Sequence, residues 1–352
     1  MEHKLGIIGY GNMGSWHAEN VRDRVKGITV AGVYDINPER MALAKENGFT
    51  TYESAEALLA SDIDIVLVAT PNNYHKIYSI QALRAGKNVI SEKPVCMSMQ
   101  ELDDVIAVSK ETGKLFTVHQ NRRFDTDFAI MKEIFEKKMI GEPRVLHSRL
   151  YSDHGISGDW RSSKEAGGGV LFDWGVHLID QLVVLMGCDP VAVHAKLQNI
   201  FFKTVDDACT VTIDFANGAT AVMTVDLWCY VQEARWQMYG TEGTCRIDKW
   251  FGTEGKMIRA ETKEVKWLDG CVYTPNGLSR TMWPRPSQDI EEVAIPVPET
   301  EPRWEEYYEN FMLACEGKAT QIVTHEQMRR TLGIVMAAFK SAETNEVVKD
   351  IL

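Results

Sequence analysis

Lys4-Leu5-Gly6-Ile7-Ile8-Gly9-Tyr10-Gly11-Asn12-Met13-Gly14 is the stretch whose reading decides the fold of this chain. A short apolar run passes directly into a turn, Gly9-x-Gly11-x-x-Gly14, and the turn opens a helical pattern over Met13–Lys26. Alone, the three glycines are a weak motif. Their context adds an acidic residue, Asp35, 21 positions beyond Gly14 and at the end of the next apolar run, Thr29–Tyr34. That combination is the signature of a dinucleotide-binding strand–turn–helix unit. Gly9 permits the tight turn, Gly11 lets a pyrophosphate approach the backbone, and Gly14 lets helix and strand pack closely. The helix N-terminus then presents unpaired N–H groups and positive dipole to the phosphates, so Tyr10, Asn12 and Met13 belong to the same contact surface.

Working outward, apolar runs at Leu5–Ile8, Thr29–Tyr34, Ile63–Ala69, Asn88–Ser91 and Leu115–Val118 alternate with helical patterns at Met13–Lys26, Pro38–Asn47, Ser54–Leu59, Tyr74–Arg84 and Met99–Glu111. Continuous apolar runs such as Ile65-Val66-Leu67-Val68 suit strands covered on both faces. Gly86 and Gly113 stand where two helices must end in a left-handed residue. Alternation with short links predicts an α/β fold, a doubly wound parallel Rossmann sheet over residues 1–122.

The character changes near Phe124. A helix over Asp127–Lys138 is followed by a strand, Arg144–Tyr151, then a glycine-rich stretch and helix over Ala166–Met186. Alternating segments follow at Val191–Leu197, Cys209–Phe215, Thr220–Asp226, Arg235–Tyr239 and Thr244–Ile247, with the hairpin dipeptide Asn217-Gly218 between two of them. Residues 123–352 therefore read as a second, α+β domain with an antiparallel sheet. Residues 250–302, rich in proline, tryptophan and charge, receive no assignment; helices over Glu305–Glu316 and His325–Glu343 close the chain.

At 352 residues, 45% apolar and 25% charged, the composition is that of a soluble protein long enough for two domains. The net charge of -12 and the lack of a basic stripe argue against a nucleic-acid partner. The seven cysteines stand singly with no C-x-x-C pair, as expected of reduced thiols in a cytoplasmic protein. No apolar run approaches the roughly 20 residues that span a bilayer, so no membrane partner is expected.

Three further segments carry chemistry: Glu92-Lys93-Pro94 at the end of a strand, Asn121-Arg122-Arg123-Phe124 after another, and the glycine-rich run from Ala166 into Asp173 and His177. In open α/β sheets ligands sit at the carboxyl ends of strands, which places Lys93 and Asn121 near the cofactor. Asp173 and His177, four apart on a helix, share a face about 6 Å apart along the axis. A carboxylate beside an imidazole can orient the ring and stabilise its charged form.

Together with Ala69-Thr70-Pro71-Asn72, His75 and Asp159-Trp160-Arg161, these segments resemble the Gfo/Idh/MocA oxidoreductases over essentially the whole chain. The resemblance implies a Rossmann domain followed by a domain whose large, mostly antiparallel open sheet mediates assembly into a homo-oligomer, a dimer or tetramer. It also implies a sugar, glycoside or cyclitol substrate. By resemblance Lys93 is the active-site lysine, and Asp173 and His177 are the family's Asp-x-x-x-His pair. The cofactor residues expected are Gly9, Tyr10, Gly11, Asn12, Met13, Gly14, Asp35, Ala69, Thr70, Pro71, Asn72, His75, Glu92, Lys93 and Asn121.

The substrate residues expected are Lys93, Arg122, Tyr151, His154, Trp160, Arg161, Asp173 and His177. Structural ion pairs are the alternative for Arg122, Arg123 and Arg161. Asp180 is expected to pair with backbone or a neighbouring cation, and Trp250, Trp267 and Trp283 to be core or oligomer contacts. Asp35 favours NAD over NADP, since a carboxylate accepts from a ribose 2′-OH and repels a 2′-phosphate, with Arg40 the one nearby cation in favour of NADP. His177 is the expected base, with Lys93 its rival, and Asp173 orients substrate or His177. A secondary ring hydroxyl, including C3 of a glucosyl unit, is the expected donor. Redox-cycling glycosidases and a non-catalytic dinucleotide sensor are the alternatives. No metal is expected, because His3, His17, His119, His147, His154, His194 and His325 show no ligand spacing.

Overall fold

The computed structural model describes residues 2–352, apart from the side chains of residues 261–270, 272 and 280–289. The first half is the expected parallel sheet. Strands β1 (His3–Ile8), β2 (Ile28–Tyr34), β3 (Ile65–Val68), β4 (Asn88–Ser91) and β5 (Phe116–Val118) lie in the order β2-β1-β3-β4-β5, all parallel. Helices α1 (Asn12–Arg24), α2 (Pro38–Glu46), α3 (Ala55–Leu59), α4 (His75–Arg84) and α5 (Met99–Thr112) connect them. All four residues of β3 are buried, because helices cover both faces of a central parallel strand. The helix starts are set by side chains: Asn37, Ser54 and Ser98 each accept a backbone N–H two or three residues on. Gly86 and Gly113 take the left-handed conformation with φ of 77° and 66°.

A short turn, Asn121–Phe124, leads into α6 (Thr126–Glu136) and β6 (Pro143–Tyr151), then a π turn, Leu171–Gly175, that continues into α7 (Val176–Met186). The second sheet is completed by β7 (Pro190–Gln198), β8 (Ala208–Phe215), β9 (Thr220–Asp226), β10 (Trp236–Gly240), β11 (Gly243–Ile247), β12 (Gly255–Thr274) and β13 (Gly277–Val293), in the order β13-β12-β11-β10-β6-β9-β8-β7. Only β6 and β9 pair in parallel; the other neighbours are antiparallel. Asn217-Gly218 turns β8 into β9, as its sequence predicts. Burial alternates strictly along β9: Ala221, Met223 and Val225 face the core, while Thr220, Val222, Thr224 and Asp226 are part-exposed.

The unassigned stretch 250–302 contains the long hairpin β12–β13, which extends that sheet. Pro284 and Pro286 read against a strand. In β13 they are tolerated because it is the outermost strand, where one side of the ladder needs no partner. The side chains of Trp267 and Trp283 lie outside the described residues.

The chain closes with α8 (Glu305–Cys315) and α9 (His325–Thr344). Helix α8 returns to the first sheet's layer: Trp304 stacks near Trp16 with ring centroids 4.9 Å apart, and Arg24 pairs with Glu305 at 2.6 Å. Helix α9 starts at a capping box between Thr324 and Gln327 and packs on α7 and β7. All seven cysteines are unpaired, and no helix of the described residues is long and apolar enough to cross a membrane.

Candidate active site

The glycine turn stands at the carboxyl end of β1, above a cleft of about 440 Å³. Gly9 has a φ of +97°, and a Cβ there would meet the Ala69 carbonyl at 2.5 Å. At Gly14 a Cβ would lie 1.9 Å from the Gly9 oxygen, so helix and strand close on each other only with glycine. A Cβ at Gly11 would point into open space, with nothing within 4 Å. Helix α1 begins there with no side-chain cap and no acidic residue in its first turn. Its orphan N–H groups and positive dipole end are left for an anion, as a pyrophosphate requires. The residues therefore fit a dinucleotide.

Asp35, at the end of β2, borders the same cleft with Ile36, Asn37 and Arg40. Its carboxylate is oriented from both sides, Oδ2 by the Tyr10 N–H at 2.6 Å and Oδ1 by the Asn37 N–H at 2.8 Å. Each oxygen keeps a lone pair for a ribose hydroxyl. Tyr10 itself enters only through that backbone N–H. Its ring is fully buried, edge-on to Phe49 at 5.9 Å, and its hydroxyl accepts from Asn47. The large ring at this position packs into the core.

The opposite wall is Ala69-Thr70-Pro71-Asn72 after β3, with Glu92 and Lys93 after β4 and Trp160 and Arg161 from the second domain. Asn72 is buried and donates to the Gly167 carbonyl at 2.8 Å, tying the first domain to the glycine-rich run. His75 is buried beneath the wall, with Nδ1 2.7 Å from the Pro94 carbonyl and Nε2 2.9 Å from that of Thr70. It braces the cleft wall; His75, Gly14 and Asn121 are not among the residues that border the cleft.

Lys93 and Asp173 meet across the two domains. The Lys93 ammonium donates to Asp173 Oδ1 at 2.7 Å and to the Asp173 carbonyl at 2.8 Å. Two of its three N–H groups are thereby used. Arg161 approaches the other carboxylate oxygen at 3.4 Å and also pairs with Asp159 at 2.7 Å. Burial pushes the Asp173 carboxyl up, but the Lys93 and Arg161 charges outweigh it and hold it below its ordinary value. The expected contact between Asp173 and His177 gives way to these two cations, which neutralise the carboxylate where an imidazole would not.

His177 is buried, with Nδ1 3.2 Å from Gln120 Oε1. That partner assigns the proton to Nδ1 and leaves Nε2 with its lone pair. Desolvation first, then the Lys93 and Arg122 charges, hold this imidazole well below its ordinary value. It is neutral at pH 7. Gln120, the residue after His119 and just beyond β5, has no motif signal and was not singled out in the sequence.

The glycine-rich run is explained by crowding. A Cβ at Gly168 would lie 2.1 Å from the Arg161 carbonyl, and one at Gly169 2.2 Å from Asp206 Oδ1. Asp206 Oδ2 accepts the Leu171 N–H at 2.8 Å and fixes the start of the π turn; burial pushes this carboxyl up to about 6.

The remaining substrate candidates divide. Arg122 and Tyr151 border a second cavity of about 200 Å³ with Arg149, Trp174, Arg235 and Trp250. The Arg122 guanidinium lies 5.1–5.6 Å from the ring centres of Trp174, Trp250 and Phe251, and 3.6 Å from Asp125. Trp250 is partly buried against the core at the edge of this cavity, its Nε1 donating to Asp125 at 2.9 Å. Arg123 is structural: it grips Asp180 with two bonds of 2.6 Å, which supplies the neighbouring cation expected for that aspartate. His154 is exposed and pairs with Asp153 at 2.6 Å, so it is not gathered into either cavity. Two of the seven histidines that lack ligand spacing in the sequence, His17 and His119, converge on Glu92 at 2.7 and 3.1 Å.

Comparison with known proteins agrees with this geometry. Residues 3–120 match the oxidoreductase family with an NAD-binding Rossmann fold, and residues 128–246 match the GFO/IDH/MocA C-terminal domain. The chain belongs to the Gfo/Idh/MocA oxidoreductase family. A relative that spans nearly all of it is 1,5-anhydro-D-fructose reductase of Ensifer adhaerens, 30% identical over 93% of this chain and 92% of that protein. Myo-inositol 2-dehydrogenase of Thermotoga maritima is 26% identical over 74% of this chain and 76% of that protein. Among solved structures, an NAD-binding protein from Listeria innocua is 37% identical and superposes with a TM-score of 0.87, covering 100% of this chain and 98% of that one.

Proposed function

We propose that this oxidoreductase is an NAD-dependent dehydrogenase of a secondary ring hydroxyl on a sugar, glycoside or cyclitol. The observation that carries the reading is the pairing of a clamped ammonium with a neutral imidazole. Asp173 accepts two of the Lys93 N–H bonds and orients the ammonium, leaving one N–H for the reacting oxygen. With Lys93 committed as a hydrogen-bond donor, the base is His177, through Nε2. Lys93 stabilises the alkoxide character that develops as the proton leaves. Asp173 acts through Lys93. Bound NAD supplies the acceptor for the hydride that leaves the carbinol carbon.

NAD rather than NADP is supported by the oriented Asp35 carboxylate. The substrate class is supported by the names of the Ensifer and Thermotoga relatives and by Trp160 at the cleft, an apolar face of the kind that stacks on sugar rings. The part-exposed face of the second sheet supports assembly of a dimer or tetramer. A light-scattering mass of one chain contradicts it. The unpaired cysteines support a cytoplasmic setting.

The test is a panel of inositols, free hexoses and glycosides assayed for NADH formation. Reduction of NAD by at least one ring polyol is expected. Activity confined to non-carbohydrate alcohols, or aglycone release with no net NADH, overturns the reading.

A further inference from the structure

Glu92 is a carboxylate that the fold buries against two imidazoles and a backbone N–H, with no lysine or arginine side chain paired to it among the described residues. Its Oε1 accepts from His17 Nε2 at 2.7 Å and from His119 Nδ1 at 3.1 Å, and its Oε2 accepts the Lys93 backbone N–H at 3.1 Å. The Tyr308 hydroxyl lies 2.6 Å from His17 Nδ1. Donation from that hydroxyl fixes the His17 proton on Nε2, facing Glu92. Burial, then the neighbouring His119, holds His17 below its ordinary value, so it is a neutral donor. Burial pushes the Glu92 carboxyl up, yet the hydrogen bonds from His119 and His17 prevail and hold it well below the carboxylate range. The nearest ammonium, Lys93, is already spent on Asp173, and Arg161 on Asp159 and Asp173.

An ionised carboxylate in this setting is costly unless something positive faces it. Glu92 borders the cofactor cleft beside Lys93, at the end where the chemistry takes place. The oxidised dinucleotide carries a positive charge on its nicotinamide ring and the reduced form does not. The adenosine and pyrophosphate are the same in both. We propose that Glu92, locked between His17 and His119, is a fixed anion that favours the oxidised dinucleotide over the reduced one in this cleft.

The inference rests on the cleft being the NAD site. It goes beyond that reading by assigning the redox preference of binding to one side chain. A small cation held by His17, Glu92 and His119, whose ligand atoms all lie within 4.8 Å of one another, is the competing use of the cluster. It would have to displace both imidazole protons that Glu92 now accepts.

The experiment is fluorescence titration of NAD+ and NADH against the wild type, Glu92→Gln, Glu92→Asp and Tyr308→Phe. Glu92→Gln is expected to raise the ratio Kd(NAD+)/Kd(NADH) about tenfold, equivalent to ~1.4 kcal/mol. Glu92→Asp keeps the charge, and its ratio stays within twofold of wild type even where both affinities fall. Tyr308→Phe frees the His17 tautomer and raises the ratio about threefold; it carries the test should Glu92→Gln not fold. A merely structural Glu92 would weaken both ligands equally. Ratios unchanged within twofold in Glu92→Gln and Tyr308→Phe overturn the proposal, as does stoichiometric metal in the purified protein that is lost in His119→Ala. Failure of the wild type to bind either dinucleotide would instead overturn the cofactor reading, and this inference with it.

Discussion

His177 sets the behaviour of the site at the scale of one residue. An ordinary imidazole titrates near 6.5. Here burial and the Lys93 and Arg122 charges push it well below that value, so the neutral, proton-accepting form persists into mild acid. The expected kcat/KM profile is therefore flat from pH 8 down to about pH 6, with its acid limb displaced below the usual range for histidine. An inflection at ordinary histidine pH that disappears in His177→Ala contradicts this. His177→Ala itself is expected to lower kcat by roughly 10²–10⁴-fold, the usual worth of a positioned acid–base group. Lys93, Asp173 and His177 were legible from their spacing and from the family pattern. Gln120, which assigns the His177 tautomer, was not, because a lone glutamine after a short strand carries no periodicity or motif.

At the scale of elements, the site depends on how α7 is held. Arg123, in the turn after β5, grips Asp180 of α7 and also donates to the Ile322 carbonyl at 2.9 Å and to Gln327 at 3.0 Å. One guanidinium thus ties the first domain's last strand to α7 and to the start of α9. Asp180 is buried, so Arg123→Met leaves an unpaired charge in the interior. A loss of about 3–5 kcal/mol in denaturant unfolding is expected. The variant protein that remains folded should retain its NAD affinity, since Arg123 does not border the cleft. An equal-stability variant contradicts the clasp.

The elements themselves show where sequence reading succeeds. The parallel sheet was readable because each strand is a short apolar run and three of the five helices, α2, α3 and α5, start at a side-chain cap, Asn37, Ser54 and Ser98. The hairpin β12–β13 was not, because Pro284, Pro286 and the charged residues hide an edge strand whose tolerance for proline depends on its place in the sheet.

At the scale of the molecule, chemistry is assembled at the junction of two domains. Asn72 bonds to Gly167, Lys93 to Asp173, and α8 returns from the end of the chain to set Tyr308 on His17. Contacts that join positions so far apart leave no trace in local periodicity, which is why the Glu92 cluster emerged only from the fold. In the proposed function, the glycine turn and Asp35 hold the cofactor, and Lys93 and His177 direct the hydride transfer. The measurement that reaches this claim most directly uses a polyol from the panel, deuterated at its ring carbinol carbons, incubated with NAD+ and the wild-type protein. Mass analysis of the dihydronicotinamide is predicted to find deuterium transferred from substrate, at a rate lowered roughly 10²–10⁴-fold in His177→Ala. Unlabelled NADH, or undiminished transfer by His177→Ala, would contradict the account.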